Sequence, residues 1–372
     1  MKILIDIRLL GRERYSGVAE YTFNLVDHLI KLASPKYRFQ LFYNGLKKEP
    51  LPAHWLSAPN VSIINYHYPN KIINLASFCN FKIDRWLKTD LIFSPHIDLI
   101  NSASTPRILT IHDLSFIHYK NFFSRKQRLW HYLQKIEKQI NAASRIITNS
   151  NYTKNDIVET LAVSEKKISV IYPGIATQQG DSLKVSRFQS LNLTLNSKSE
   201  ILENYLLYLG TIEPRKNIPA IIKAFNILKS NKKYHHIKLV LAGKNGWLYK
   251  NVFQEAKQSS YQKDIIFLGP VTAEEKNMLY NSARVFVYPS FFEGFGFPPL
   301  EAQAHNCPVI TSDRSSLPEI LENSAIKVNP WKTNKLAEAI DKILSDQSLR
   351  QKLIIAGQKN IKRFNYDLCA AQ

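Results

Sequence analysis

Short apolar runs bounded by turn residues, each followed by a longer amphipathic stretch, recur along this chain and start over past its middle. That is the pattern of βα units, whose strands are buried on both faces and read as continuous apolar runs. In the first half, strands are expected at Ile3–Ile7, Phe39–Tyr43, Val61–Tyr66, Leu91–Ser94, Ile108–Ile111, Arg145–Thr148 and Ile168–Ile171. Helices are expected at Val18–Lys31, Lys126–Ala142 and Thr153–Leu161, the last capped by Asn151 or Thr153. Tyr172-Pro173-Gly174 then stops a strand and permits a turn. The restarted rhythm predicts strands at Tyr205–Gly210, Ile237–Ala242, Ile265–Leu268, Val285–Tyr288, Val309–Thr311 and Ala325–Val328. Its helices fall at Ile218–Leu228, Ala273–Tyr280, Pro299–Ala304, Lys335–Leu344 and near Ser348–Lys362. The segment Gln178–Ser199, rich in Ser, Asn, Thr and Gln, lacks either period and is expected to be an exposed insertion.

A chain of 372 residues exceeds the size at which one core keeps growing. The expected class is therefore α/β, with two Rossmann-like, doubly wound domains at 1–172 and 173–350 and a C-terminal helix at 351–372. Open α/β sheets bind ligands outside the carboxyl ends of their strands, so a cleft between the two domains is the expected site. No apolar run is long enough for a membrane span, and the opening Met1–Arg8, interrupted by Asp6, suits a first strand better than a signal peptide. Cys79, Cys307 and Cys369 are odd in number and far apart, which indicates neither a disulfide framework nor a zinc site and fits a reducing, cytoplasmic setting. The formal charge of +20 favours anionic partners, although an excess of lysine can also reflect composition alone.

Four segments carry chemistry. Tyr288–Ala302 runs from a strand through a glycine-containing loop into a helix whose start is marked by Pro298 and Pro299. Amides of Gly296, Phe297 and Leu300 would point from that positive helix end as an anion site. Glu293 and Glu301, separated by seven residues, suit sugar or ribose hydroxyls there, the bland alternative being a solvated loop Glu and a dipole-stabilised helix Glu. Leu209–Asn217 (LGTIEPRKN) places Arg215 and Lys216 at a strand's carboxyl end, where they could neutralise a diphosphate; alone, such a pair would more often be a solvated turn. His112 ends a first-domain strand, a position equally open to a structural His. Gly17, at the entry to the first helix, could let backbone approach a phosphate, but no full GxGxxG fingerprint accompanies it.

In matching order over nearly the whole chain, these segments resemble the family 4 glycosyltransferases, which have the GT-B fold. The paired glutamates, the LGTIEPRKN segment and the stretch from Cys307 through Glu319 carry the resemblance. It implies that Glu301 binds the nucleotide ribose and Glu293 the donor sugar, while Arg215, Lys216 and the amides of Gly294, Phe295, Gly296 and Phe297 hold the diphosphate. His112 would approach the donor sugar from the first domain, and Gly17 would lie near the diphosphate and acceptor. The family typically retains anomeric configuration, with no metal or other cofactor beyond the nucleotide sugar as co-substrate; no DxD triplet occurs here. The LGTIEPRKN segment is similar to that of mannosyltransferases using GDP-mannose, implying hexose transfer to a glycan or lipid-linked acceptor in cell-surface polysaccharide or lipopolysaccharide synthesis.

Two departures stand out. Arg363–Asp367 resembles the beginning of a longer crossover helix, here short or truncated, and Ser16–Glu20 lacks the second glycine of many relatives. The basic run Lys120–Lys138 suggests either a solvated helix face or a contact with an anionic membrane, which would make the enzyme peripheral on the inner membrane face. A basic membrane- or nucleic-acid-binding module and a GT-B epimerase or phosphorylase are the competing readings. No nucleic-acid-reading motif occurs, so nucleic acid is not an expected partner.

Overall fold

The computed structural model describes residues 1–11, 16–44, 51–68, 70–175 and 204–372. The expected insertion Gln178–Ser199, and Arg14 and Tyr15 beside Gly17, lie outside the described residues. The chain divides into two compact units, one comprising Met1–Gly174 with Phe364–Gln372 and the other Ile175–Arg363.

The first unit contains β1 (Lys2–Asp6), α1 (Gly17–Leu32), β2 (Arg38–Phe42), α2 (Ala53–Leu56), β3 (Val61–Ile64), α3 (Asn70–Phe78) and β4 (Leu91–Ser94). It continues with β5 (Arg107–Ile111), α4 (Ser115–His118), α5 (Arg125–Leu133), α6 (Ile136–Ala142), β6 (Arg145–Thr148), α7 (Asn151–Leu161) and β7 (Ile168–Val170). Its seven strands form a parallel sheet in the order β3-β2-β1-β4-β5-β6-β7, with Leu4 of β1 opposite Gln40 of β2 and Ile92 of β4. Leu4, Leu41, Ile92, Leu109 and Ile146 are completely buried, the burial that parallel strands covered on both faces require.

The second unit contains β8 (Tyr205–Leu209), α8 (Ile218–Lys229), β9 (Lys238–Ala242), α9 (Lys250–Gln258), β10 (Ile265–Gly269), α10 (Ala273–Ser282) and β11 (Val285–Tyr288). It ends with α11 (Phe297–Ala304), β12 (Val309–Ser312), α12 (Leu317–Leu321), β13 (Ile326–Val328), α13 (Thr333–Ser345) and α14 (Gln347–Asn360). The six strands are parallel in the order β10-β9-β8-β11-β12-β13. Both sheets are doubly wound, so each has a switch point where strand order reverses: β1/β4 in one unit and β8/β11 in the other.

Three expectations are corrected. The single helix Lys126–Ala142 is two helices, because Lys135 adopts the left-handed conformation (φ 49) between α5 and α6. The break lets Ile136 and Ile140 enter the core beside Leu109 and Ile146, while the side-chain amide of Gln139 satisfies the Gln134 carbonyl at 2.7 Å. The cap of α7 is Ser150, whose hydroxyl accepts from the Thr153 amide at 3.1 Å, rather than Asn151 or Thr153. The 351–372 segment is likewise not one helix: α14 stays in the second unit, and α15 (Tyr366–Ala371), capped by Asn365, packs on α1 in the first.

Candidate functional site

The second unit's switch point gathers Arg215, Lys216 and Glu293. After β8 the chain makes a 3-10 turn over Pro214–Lys216, and Asn217 enters the left-handed region (φ 56) to open α8. The Asn217 side chain donates to the carbonyls of Pro289 (3.2 Å) and Pro330 (2.7 Å), and the Phe291 amide donates to the Arg215 carbonyl (2.9 Å). The loops leaving β8 and β11 are thereby held together. A third loop closes on them after β9, where a Cβ on Gly243 (φ 135) would meet the Gly210 carbonyl oxygen at 2.0 Å. Only a residue without a side chain permits that approach.

Within this frame, Lys216 Nζ donates to Glu293 Oε1 and to the Tyr288 hydroxyl, each at 2.6 Å. Arg215 pairs with Glu213 Oε1 through Nη2 at 2.9 Å and Nε at 3.1 Å, and its Nη1 reaches the Phe292 carbonyl at 3.1 Å and Glu293 Oε2 at 3.4 Å. Glu213, Lys216 and Glu293 are buried. Burial alone would raise the Glu293 carboxyl; the Lys216 and Arg215 cations reverse this and hold it below its ordinary value. Burial and the neighbouring Arg215 lower the Lys216 ammonium, against the attraction of Glu293 and Glu213. Burial followed by the Glu293 charge pushes the Tyr288 phenol well up, so it remains a neutral hydroxyl. Two cations and two carboxylates thus balance at a strand terminus.

Gly294, Phe295, Gly296 and Phe297 follow Glu293 into α11. The Ser315 hydroxyl accepts from the Glu293 amide (2.9 Å), and the Ser316 hydroxyl donates to the carbonyls of Glu293 (2.9 Å) and Phe295 (3.1 Å). Gly296 (φ 105) occupies the N-cap, where a Cβ would meet Leu317 at 2.7 Å. Phe297 opens the helix, and prolines at 298 and 299 leave the amides of Phe297 and Leu300 in its first turn. Phe295 is buried edge-on to Phe297, 5.0 Å between ring centres.

Glu301 belongs to a separate cluster. It accepts from Lys276 Nζ at 2.7 Å on Oε1 and from the Tyr280 hydroxyl at 2.9 Å on Oε2, both from α10. Burial and the Glu301 charge raise the Tyr280 phenol well above its usual value, making it a fixed donor. These contacts orient the carboxylate and leave it lone pairs for further donors.

In the first unit, His112 follows β5. Its Nε2 donates to the Pro95 carbonyl at 2.8 Å, which assigns Nδ1 as the acceptor nitrogen, with Asn149 Nδ2 at 3.5 Å. Burial lowers its pKa to about 4, so the ring is neutral near pH 7. Tyr21 of α1 packs edge-on against it at 4.8 Å, and Gly17 is the exposed first residue of that helix, behind the cap Ser16. At the β1/β4 switch point, Asp6 and Arg8 form a fully buried ion pair (2.7 Å), joined by His96, whose Nε2 donates to the Asp6 carbonyl at 3.1 Å.

Sequence reasoning did not single out Glu213, Tyr288, Lys276, Tyr280, Ser315 or the Asp6–Arg8–His96 group. Glu213 and Tyr288 stood inside the recognised segments, and Lys276 and Tyr280 lie four apart on one helix face. Their partner Glu301 is 25 residues from Lys276 and 21 from Tyr280, a pairing that only the packing of α10 on α11 reveals.

Residues 15–179 match the family described as Glycosyltransferase Family 4, and residues 196–360 match Glycosyl transferases group 1. The chain is 28% identical to the O-antigen chain mannosyltransferase B of Escherichia coli over 71% of its own length and 68% of that protein's. It is 32% identical to the O-antigen chain mannosyltransferase RfbU of Salmonella typhimurium over 63% of its length and 60% of that protein's. Among solved structures, sucrose-phosphate synthase from Thermosynechococcus elongatus shares the fold with a TM-score of 0.76 at 19% identity, covering 100% of this chain and 97% of that one. With both halves matched in order and both sheets doubly wound, the chain belongs to the group 1 glycosyltransferases of GT-B fold.

Proposed function

We propose that this glycosyltransferase moves a hexose, with mannose from GDP-mannose the first donor to test, onto a glycan or lipid-linked acceptor in cell-surface polysaccharide synthesis. The observation that carries the proposal is the pairing of Lys216 and Arg215 with Glu293 and Glu213 at the β8/β11 switch point. Similarity to two O-antigen chain mannosyltransferases supports the sugar and the pathway class.

In this reading the donor diphosphate takes over the two cations, and the first turn of α11 supplies its amides. As the glycosidic bond breaks, negative charge grows on the leaving diphosphate, where these preorganised groups stabilise it more than in the ground state. Glu293, kept ionised by Lys216 and Arg215, accepts from donor-sugar hydroxyls. It serves as a positioner; the acceptor hydroxyl attacks on the face the diphosphate leaves, its proton passing to a phosphate oxygen of the departing nucleoside diphosphate, and configuration is retained. Glu301, held by Lys276 and Tyr280, accepts from the ribose hydroxyls. Neutral His112 offers Nδ1 to a donor-sugar hydroxyl, and Gly17 serves the acceptor side. The reaction needs no bound metal in this scheme, because the cations and helix amides supply the positive charge. The basic surface of the first unit is assigned to an anionic membrane on which the enzyme works peripherally.

A panel of nucleotide sugars tests the donor, with thermal shift reporting binding and nucleoside diphosphate release reporting turnover. GDP-mannose is expected to give the largest shift and release. Response to UDP-sugars alone would overturn the donor assignment, and turnover that requires a divalent ion would overturn the metal-free scheme.

A further inference from the structure

α3 carries apolar side chains on its outer face as well as toward the core. Asn74 and Ser77 face the protein: Asn74 Oδ1 accepts from buried Arg8 at 3.1 Å, and Ser77 is buried with its carbonyl bound by Asn101. Ile73 packs against the core, whereas Ile72, Leu75 and Phe78 are all exposed at three-residue spacing, with Leu75 63% accessible. α5 also exposes apolar side chains. Each of its nine residues keeps some exposure, and Leu129, Tyr132 and Leu133 form one outward stripe, Tyr132 being 77% accessible. A helix normally buries such a stripe.

The two helices meet at their C-terminal ends. Lys135, just past α5, donates to the Phe78 carbonyl at 3.2 Å and places its ammonium 3.6 Å from the centre of the Phe78 ring. Lys138 reaches Asn80 at 3.4 Å. Trp86, 70% accessible, packs on Phe81 at the same end of α3. Cations flank the apolar stripe: Arg125, Lys126 and Arg128 are exposed in the turns of α5 that precede Leu129 and Tyr132.

We propose that this face, formed by α3 and α5, inserts its apolar side chains into the headgroup boundary of an anionic bilayer. Cations ringing exposed Leu, Ile and aromatic residues are what an interfacial surface needs: charge draws the protein down, and apolar area holds it there. Trp86 and Tyr132 suit the water–lipid boundary, each presenting an apolar ring with a polar atom. A second copy of this chain is the poorer occupant, since self-pairing would set Arg125, Lys126 and Arg128 against their own kind. No helix among the described residues is long and apolar enough to cross a membrane, so the contact made here is with one leaflet. The inference deepens the membrane assignment of the proposed function by adding insertion to charge attraction, and it is independent of the donor.

Flotation of the full chain with vesicles of phosphatidylcholine, with and without phosphatidylglycerol, tests it without any sugar nucleotide. Wild-type protein is expected to float with the anionic vesicles. The triple variant Leu75→Ser/Leu129→Ser/Tyr132→Ser should partition at least about tenfold less, at low salt and high, while keeping the wild-type melting temperature. Arg125→Gln/Lys126→Gln/Arg128→Gln should lose binding mainly at low salt, where charge attraction dominates. Failure of the wild type to float, or undiminished flotation of the serine variant, overturns insertion. A vesicle-free dimer in sedimentation velocity that the serine changes abolish also overturns it and assigns the face to a second copy. Because donor turnover is not read, loss of the mannosyl-donor assignment would leave this result standing.

Discussion

Lys216 Nζ and Glu293 Oε1 meet at 2.6 Å across 77 residues of sequence, each buried and each the other's main counter-charge. Lys216→Met should therefore act twice. Turnover should fall on the order of 100- to 1000-fold through loss of diphosphate stabilisation. Stability should fall by about 3 kcal/mol, because among the described residues the longer pair with Arg215 is the ion pair left to the buried Glu293 carboxylate. The double variant Lys216→Met/Glu293→Gln should regain melting temperature without regaining turnover. Recovery of both, or wild-type turnover in the single variant, would remove Lys216 from the diphosphate site.

Lys276 and Tyr280 hold Glu301 from both carboxylate oxygens. Glu301→Ala should weaken nucleotide binding by about tenfold or more, and Lys276→Met by a smaller factor, with Tyr280 still in place. Titration calorimetry with the nucleoside diphosphate checks both; equal affinity in Glu301→Ala would refute the ribose assignment.

The pH dependence follows from His112. Burial places its folded pKa at about 4, below the ordinary 6.5 of an exposed imidazole, so the unfolded chain takes up the proton first as pH falls. Stability should accordingly decline as pH drops from about 6.5 to 4, by on the order of 2 kcal/mol after allowance for partial exposure. Denaturant melts of His112→Asn should show a flatter profile over that window. The turnover profile should lack an acid limb near pH 6.5 from this residue, and finding one that His112→Asn removes would contradict a neutral, hydroxyl-accepting ring.

Gly243→Ala tests the backbone frame. The new methyl would need the space 2.0 Å from the Gly210 carbonyl and would sit at φ 135. A loss of at least about 3 kcal/mol is expected, with turnover reduced even where the protein remains folded, since the loop carrying Arg215 must move. Urea melts and donor turnover of the variant decide it.

The parallel strands were legible because burial on both faces leaves no polar alternation, as in Tyr205–Leu209, where every residue is buried. Arg215, Lys216 and Glu293 were legible as neighbours because two strand–loop–helix segments of a doubly wound sheet converge at its switch point. The break at Lys135 was not, since nothing in that residue type favours a positive φ; the gain comes from Ile136 and Ile140 reaching the core. α3 escaped detection for a related reason: Ile72, Leu75 and Phe78 are exposed while Ile73 packs on the core, so the apolar residues mark no single buried face. Glu213 was hidden by proximity: two residues before Arg215, it read as part of a turn rather than as that cation's buried partner.

The return of Phe364–Gln372 to the first unit has a consequence for how the protein is made. Gly174 lies so close to Tyr366 that a Cβ would meet the Tyr366 amide nitrogen at 2.2 Å, and Tyr366 is itself buried. The ribosome must add about 190 residues between these two partners, roughly 10–40 s of translation at about 5–20 residues per second. Throughout that interval the nascent first unit lacks the segment that covers α1, and the bare patch is open to chaperones until Phe364–Gln372 emerge.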